Sequence, residues 1–175
     1  MKRQRWWLVS LTLAYIGMAA IAVVRWETIE DYLTGWQVVS TGLAKARFAG
    51  ITFGPEHRPG RLAEVKQASV LYEEAPFAWI EVLDRLGPPH DAWDVEELMV
   101  TDREGRSYPV TSPMAYYADA KEGNWTLTYV GIKFANSLPN PYNLTIRLRL
   151  KKQDLTSGVL TFSVAGESAQ GQPAR

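Results

Sequence analysis

The chain has no cysteine and only two histidines among its 175 residues. Without cysteine there are no disulfides, no Cys₄ metal centres, no thiol redox chemistry and no cysteine nucleophile, so any fold must be held by its core. The two histidines, His57 and His90, stand at no metal-forming or base-forming spacing. His57 reads as a solvated residue of a Gly/Pro-punctuated loop. A Gly-x-Ser-x-Gly elbow, a phosphate-binding glycine loop and a dinucleotide fingerprint are also missing. No catalytic residue, metal or cofactor is therefore expected, and the chain reads as non-enzymatic. Net formal charge is zero. Acidic residues are missing before Glu27, however, and beyond residue 25 there are 15 basic residues against 19 acidic ones. That negative balance argues against a nucleic-acid partner.

The one long apolar run is Trp6 to Val24, WWLVSLTLAYIGMAAIAVV, nineteen residues without a charge. As a helix it extends about 28 Å, close to the roughly 30 Å hydrocarbon thickness of a bilayer. Lys2, Arg3 and Arg5 precede it, and Glu27, Glu30 and Asp31 follow Arg25. The positive-inside rule then places residues 1–5 in the cytoplasm and the rest of the chain outside the cell membrane, as a single-pass signal-anchor. Trp6, Trp7 and Trp26 suit the two interfaces. The alternative is a cleaved signal peptide with Ala20-Ile21-Ala22 as the cut, giving a secreted domain. Gly17, Ala19 and Ala20 would allow close helix contact, which leaves an oligomer open. A pilin-like reading lacks the Gly-Phe-Thr-x-x-Glu start.

Residues 25–42 read as a juxtamembrane helix or stalk that becomes extended near Gln37-Val38-Val39. Residues 43–165 are expected to form one all-β domain, an immunoglobulin-like antiparallel β-sandwich, and the polar tail 166–175 to be disordered. Seven to nine short strands, hairpin-sized turns and no βαβ rhythm carry that expectation. In Tyr142–Lys151, Leu144, Ile146, Leu148 and Leu150 alternate with Thr145, Arg147, Arg149 and Lys151, giving an unambiguous core face. In Phe77–Leu83 both parities are apolar, so both faces should be covered in part. Trp125–Ala135 changes its apolar parity around Gly131, which suggests a bulge or bend there. Thr101-Asp102-Arg103-Glu104-Gly105 is a hairpin turn, with Gly105 free to take positive φ.

Three groups of candidate contacts follow. Trp93, Tyr116 and Tyr117 lie in irregular or edge regions and are candidate protein contacts. Arg147, Arg149 and Lys151, strengthened by Lys152, form a basic strand face for an anionic polymer or lipid. The loop of His90, Asp91 and Asp94 has ion-binding residue types but neither a calcium-loop nor a zinc spacing, so it reads as an exposed turn with Trp93 packed over it. Asn124-Trp125-Thr126 and Asn143-Leu144-Thr145 match glycosylation acceptors, which matter only in a glycosylating host.

The stretch AKEGNWTLTYVGIKFANSLPNPYNLTIRL, taken with VEELMVTDREGRSYPV, resembles the immunoglobulin-like exported modules of bacterial membrane-anchored proteins. These include modules behind the membrane helix of some anti-sigma-factor-like proteins. The resemblance spans roughly residues 43–165 and implies the fold without a ligand motif. With only MKRQR before the apolar run, sigma-factor binding is not carried over. The expected function is a membrane-anchored accessory or assembly subunit whose sandwich binds other membrane or envelope proteins. The alternative is a module for envelope polymer or anionic lipid.

Overall fold

A computed structural model describes residues 31, 33–59, 70–85, 93–122, 124–135 and 143–164, with backbone alone for 112–122. The apolar run 6–24, the tail 166–175, and His90 and Asp91 lie outside the described residues. Among those described, no helix is long and apolar enough to cross a membrane. The chain divides into two compact units, Met1–Trp36 and Gln37–Arg175. In the first, the Trp36 N–H donates to the Asp31 carbonyl at 2.7 Å, with Gly35 at φ 75°. That is how a helical turn closes on a left-handed glycine, so Gly35 ends the helical segment.

The second unit is all-β and antiparallel. Among the described residues its strands are β1 Gln37–Ser40, β2 Ala44–Thr52, β3 Glu56–His57, β4 Leu71–Tyr72, β5 Phe77–Asp84, β6 Asp94–Thr101, β7 Val110–Glu122, β8 Trp125–Phe134, β9 Leu144–Lys152, β10 Leu155–Thr156 and β11 Leu160–Val164. Strand pairing thus begins at Gln37, six residues before the boundary read from the sequence. One sheet runs β1-β2-β5-β8-β7. In the other, β9 pairs β6 along one edge, and β10 and β11 in succession along the other. A short β3–β4 pair stands apart.

The two larger sheets share one β-sandwich core. Ala44, Ala46, Ala78, Ile80, Val82, Val130, Ile132 and Phe134 of the first meet Val100, Leu144, Ile146, Leu148, Leu150, Leu160, Phe162 and Val164 of the second. The alternation read from β9 is realised, since Leu144, Ile146, Leu148 and Leu150 are all buried. Each such side chain is worth about 1.5–3 kcal/mol of transfer free energy. The Asp102 hairpin also forms as expected. Thr101 bridges Ser107, Gly105 takes φ 82°, and the Arg106 N–H donates to Asp102 Oδ1 at 2.8 Å.

The central strands β5 and β8 of the first sheet are buried on both faces. Away from the sandwich core, Phe77, Trp79, Leu83, Leu127 and Tyr129 form a second apolar layer on β5 and β8. The expectation of a bulge or bend at Gly131 is met on one side only: β7 pairs β8 with a register shift between Thr111 and Met114, opposite Lys133 and Gly131. β5 and β8 pair without a shift from Phe77↔Lys133 to Asp84↔Thr126. Both parities of β8 are apolar because both faces are covered. Gly131 has another role. It lies opposite Trp79, and a Cβ there would sit 2.7 Å from Trp79 Cζ3 and 3.1 Å from Phe77 Cδ1. The missing side chain is the space into which the stacked Phe77 and Trp79 rings, 5.4 Å apart, settle. Gly131→Ala should cost about 1–3 kcal/mol through overpacking, read as a lowered midpoint in denaturant unfolding; an unchanged midpoint would contradict this packing.

Candidate binding surface

The strand face proposed from β9 belongs to a sheet, and its neighbours change its character. Arg147 is exposed. The Arg149 Nε lies 2.9 Å from Glu97 Oε2, close enough to pair as charges although the angle is not that of a hydrogen bond. The Lys151 Nζ lies 3.4 Å from Glu96 Oε1. Asp94 stands opposite Lys151 in the register. Two of the three outward cations of β9, Arg149 and Lys151, therefore face three carboxylates from β6, Asp94, Glu96 and Glu97. A bulge between Glu96 and Met99, with Glu97 at φ 52°, brings Glu97 within reach of Arg149. Opposite Arg147 stand Met99, 50% exposed, on β6 and Thr161 on β11. The face is a charge-balanced mosaic with one apolar side chain, and the basic stripe expected from β9 alone is not what the sheet presents.

Lys152 does not belong to that face. Leu150 and Lys152 share the inward parity of β9, and Lys152 is 4% exposed. Its ammonium lies 3.4 Å from Asp84 Oδ2 at the end of β5, and the same oxygen accepts the Trp93 indole N–H at 2.7 Å. Trp93 is 2% exposed, so it is core and unavailable to a partner. The loop before β6 turns its ring inward because the indole N–H finds a buried acceptor. A shallow depression of about 280 Å³ beside this cluster is lined by Lys152, Gln153, Asp154 and Leu155. Tyr116 and Tyr117 do lie at an edge as expected, on β7 opposite Tyr129 and Thr128; their side chains are outside the described set.

His57 also departs from its reading as a solvated loop residue. It is fully buried, and its ring packs 4.9 Å from that of Phe77. Trp79 Nε1 donates to Thr52 Oγ1 at 2.7 Å, Thr52 Oγ1 lies 2.6 Å from His57 Nδ1, and His57 Nε2 lies 2.7 Å from the Glu73 carbonyl. An indole only donates and a carbonyl only accepts, so the chain closes when Thr52 donates to Nδ1 and Nε2–H donates to Glu73. The imidazole thereby holds the β3–β4 excursion against β2 and β5. Among the described residues, no group of three or more His, Cys, Asp or Glu is placed to hold a metal ion.

A cluster that the sequence reading overlooked lies at one end of the first sheet. The Arg85 guanidinium stacks 4.1 Å from the centre of the Trp125 ring, and the Lys45 Nζ lies 5.6 Å from it. Arg85 follows β5, Lys45 is the second residue of β2, and Trp125 opens β8, so only strand pairing brings them together. Leu43, 40% exposed in the β1–β2 turn, accepts the Arg85 backbone N–H on its carbonyl at 2.8 Å. No family model, curated protein or solved structure matches this chain.

Two outcomes follow from these electrostatics. Lys152→Ala leaves Asp84 buried without its ammonium and should cost about 3 kcal/mol in unfolding free energy. The double variant Asp84→Asn/Lys152→Met, which keeps an acceptor for Trp93, should recover most of that loss. The second outcome concerns acid. The Lys133 ammonium, 2.9 Å away, holds the Glu73 carboxyl below its ordinary value of 4.5. Burial pushes the Asp102 carboxyl up, but the backbone N–H and guanidinium of Arg106 outweigh it and keep that group below 3.8. Both carboxyls take up protons more readily unfolded, so they stabilise the fold above those ordinary values, and stability falls as pH drops through the lower folded ones. Unfolding midpoints measured from neutral pH into acid should hold level and then decline, and Glu73→Gln should flatten the onset of that decline.

Proposed function

We propose that this chain is a non-enzymatic, single-pass membrane-anchored accessory or assembly subunit whose exported β-sandwich binds a protein partner. The observation that carries the reading is the outer face of β6, β9 and β11. A rigid antiparallel sheet presents paired charges of both signs around the exposed Met99, with Arg147, Thr161 and Ser163 beside it. Such a neutral mosaic, with an apolar contact at its centre and polar groups around it, is the surface chemistry of a protein interface. The two-layer core is the feature shared with immunoglobulin-like exported modules. The apolar run Trp6–Val24, with Lys2, Arg3 and Arg5 before it, supports the anchor and its orientation.

The competing reading, an anionic polymer held by Arg147, Arg149, Lys151 and Lys152, loses its basis on this face. Glu96 and Glu97 oppose two of those cations, and Lys152 is buried on Asp84. Purification of the full chain from membranes in mild detergent should yield a co-purifying protein. Arg147→Glu with Met99→Asp, both on the exposed face, should abolish its recovery while leaving the unfolding midpoint in place. Recovery of the native chain as a lone monomer, or a partner retained by the double variant, would overturn the reading.

A further inference from the structure

We infer that the outer edge of β11 is a self-pairing surface for a second copy of this chain, held shut by the side chain of Gln37. The inference goes beyond the partner-binding face proposed above, which is the flat of the same sheet, and does not rest on it.

Backbone groups define the edge. β11 pairs β9 from Leu160↔Leu148 to Val164↔Leu144, and among the described residues no strand pairs with its other side. Leu160, Phe162 and Val164 are buried in the core, and Thr161 and Ser163 are exposed. The Thr161 N–H donates to Gln37 Oε1 at 3.1 Å, and the Thr161 carbonyl accepts from Gln37 Nε2 at 2.5 Å. Both groups therefore point away from β9. By the alternation of an antiparallel ladder, those of Ser163 point the same way. A primary amide carries a donor and an acceptor side by side. The Gln37 side chain thus stands where the backbone of a neighbouring strand would stand.

The sequence of the edge explains why it needs closing. Val159-Leu160-Thr161-Phe162-Ser163-Val164 has no charge, no proline and no glycine, and mostly β-favouring residues, the composition that recruits further strands. The other outer edges are protected by other means. β6 carries Asp94, Glu96 and Glu97 and a bulge, and its Val100 carbonyl already accepts the Tyr108 N–H at 2.8 Å. β1 is only 4 residues long. β7 includes Pro113, Lys121 and Glu122. β11 has none of these devices, and Gln37 supplies one from the opposite sheet.

The same residues select the occupant. An uncharged strand meets no repulsion from its own copy, whereas a charged strand from another protein finds no counter-charge on β11. With a two-fold axis at Phe162, Thr161 of one chain stands opposite Ser163 of the other. Their outward N–H and C=O groups then pair reciprocally, and their hydroxyls meet on one side of the joined sheet.

Full chains in one mild detergent test the latch. In the native chain the Thr161 amide should exchange with solvent more slowly than that of Ser163. Gln37→Met keeps the length of the side chain and loses both bonds; it should speed exchange at Thr161 about tenfold in dilute solution, the order of one lost hydrogen bond. As concentration rises, the variant should double its mass relative to the native chain, and both amides should become protected. Adding Ser163→Pro, which removes an outward N–H and leaves the bonds to β9 in place, should return the mass to the native value. Gln37→Ala reads the same outcomes where the methionine variant does not fold. Equal exchange at Thr161 and Ser163 in the native chain, a Gln37 variant with the native mass at every concentration, or association that survives Ser163→Pro overturns the proposal. Protection of the edge by a co-purifying protein in place of a second copy overturns it too.

Discussion

Among the described residues the two sheets are joined by side chains, and two of these cross between them, the Asp84 carboxylate and the Gln37 amide, whose Oε1 accepts the Thr161 N–H of the opposite sheet. Asp84 ends β5 in the first sheet. Its Oδ2 accepts the indole N–H of Trp93, just before β6, and lies against the ammonium of Lys152 at the end of β9. Apolar packing alone tolerates sliding, because one methyl contact resembles another. A buried carboxylate does not, since a small displacement leaves it without its donors and costs the desolvation of the group. A buried pair of this kind adds little net stability, and its contacts tie the ends of β5 and β9 and the start of β6 to one carboxylate.

What the sequence made legible was whatever one strand decides by itself. The alternation of Leu144, Ile146, Leu148 and Leu150 named a core face because their parity needs no neighbour to interpret it. The Asp102–Gly105 turn was readable for the same reason, since the glycine, the capping carboxylate and the bridge they close are local. The two-sided burial of Phe77–Asp84 was visible as apolar residues on both parities. β8 shows the same pattern with a glycine in it. Read alone, that glycine suggested a bend; beside β5 it is the gap that Trp79 fills. Strand patterns carry burial, whereas the reason for a small residue lies on the strand next to it.

The misread residues are those whose role is set by a partner far along the chain. Lys152 continued a run of basic residues, but period-two geometry turns it inward, and Asp84, 68 positions earlier, makes that tolerable. Trp93 followed a breaker-rich loop, and its destination depended on the same carboxylate. His57 sat among glycines and prolines, and its burial depended on Thr52, Glu73 and the rings of Phe77 and Trp79. A polar side chain is buried only where its donors and acceptors are met, and none of these partners lies within the loop or strand that was being read.

The same limit governs where charge can act. On β9 the alternating Arg147, Arg149 and Lys151 look like an anion-binding stripe, yet β6 arrives beside them carrying Asp94, Glu96 and Glu97, and a bulge on β6 brings Glu97 onto Arg149. Opposed charges at this spacing cancel within about one Debye length, so a surface with more cations in sequence has less field to offer. At the end of the first sheet Lys45 and Arg85 are forty residues apart and form no run. Both stack on Trp125, and a ring quadrupole orients a cation without itself neutralising it. For a sheet protein the field at the surface is therefore a property of strand order, and the most conspicuous basic stretch of this chain is offset by the carboxylates of the strand beside it.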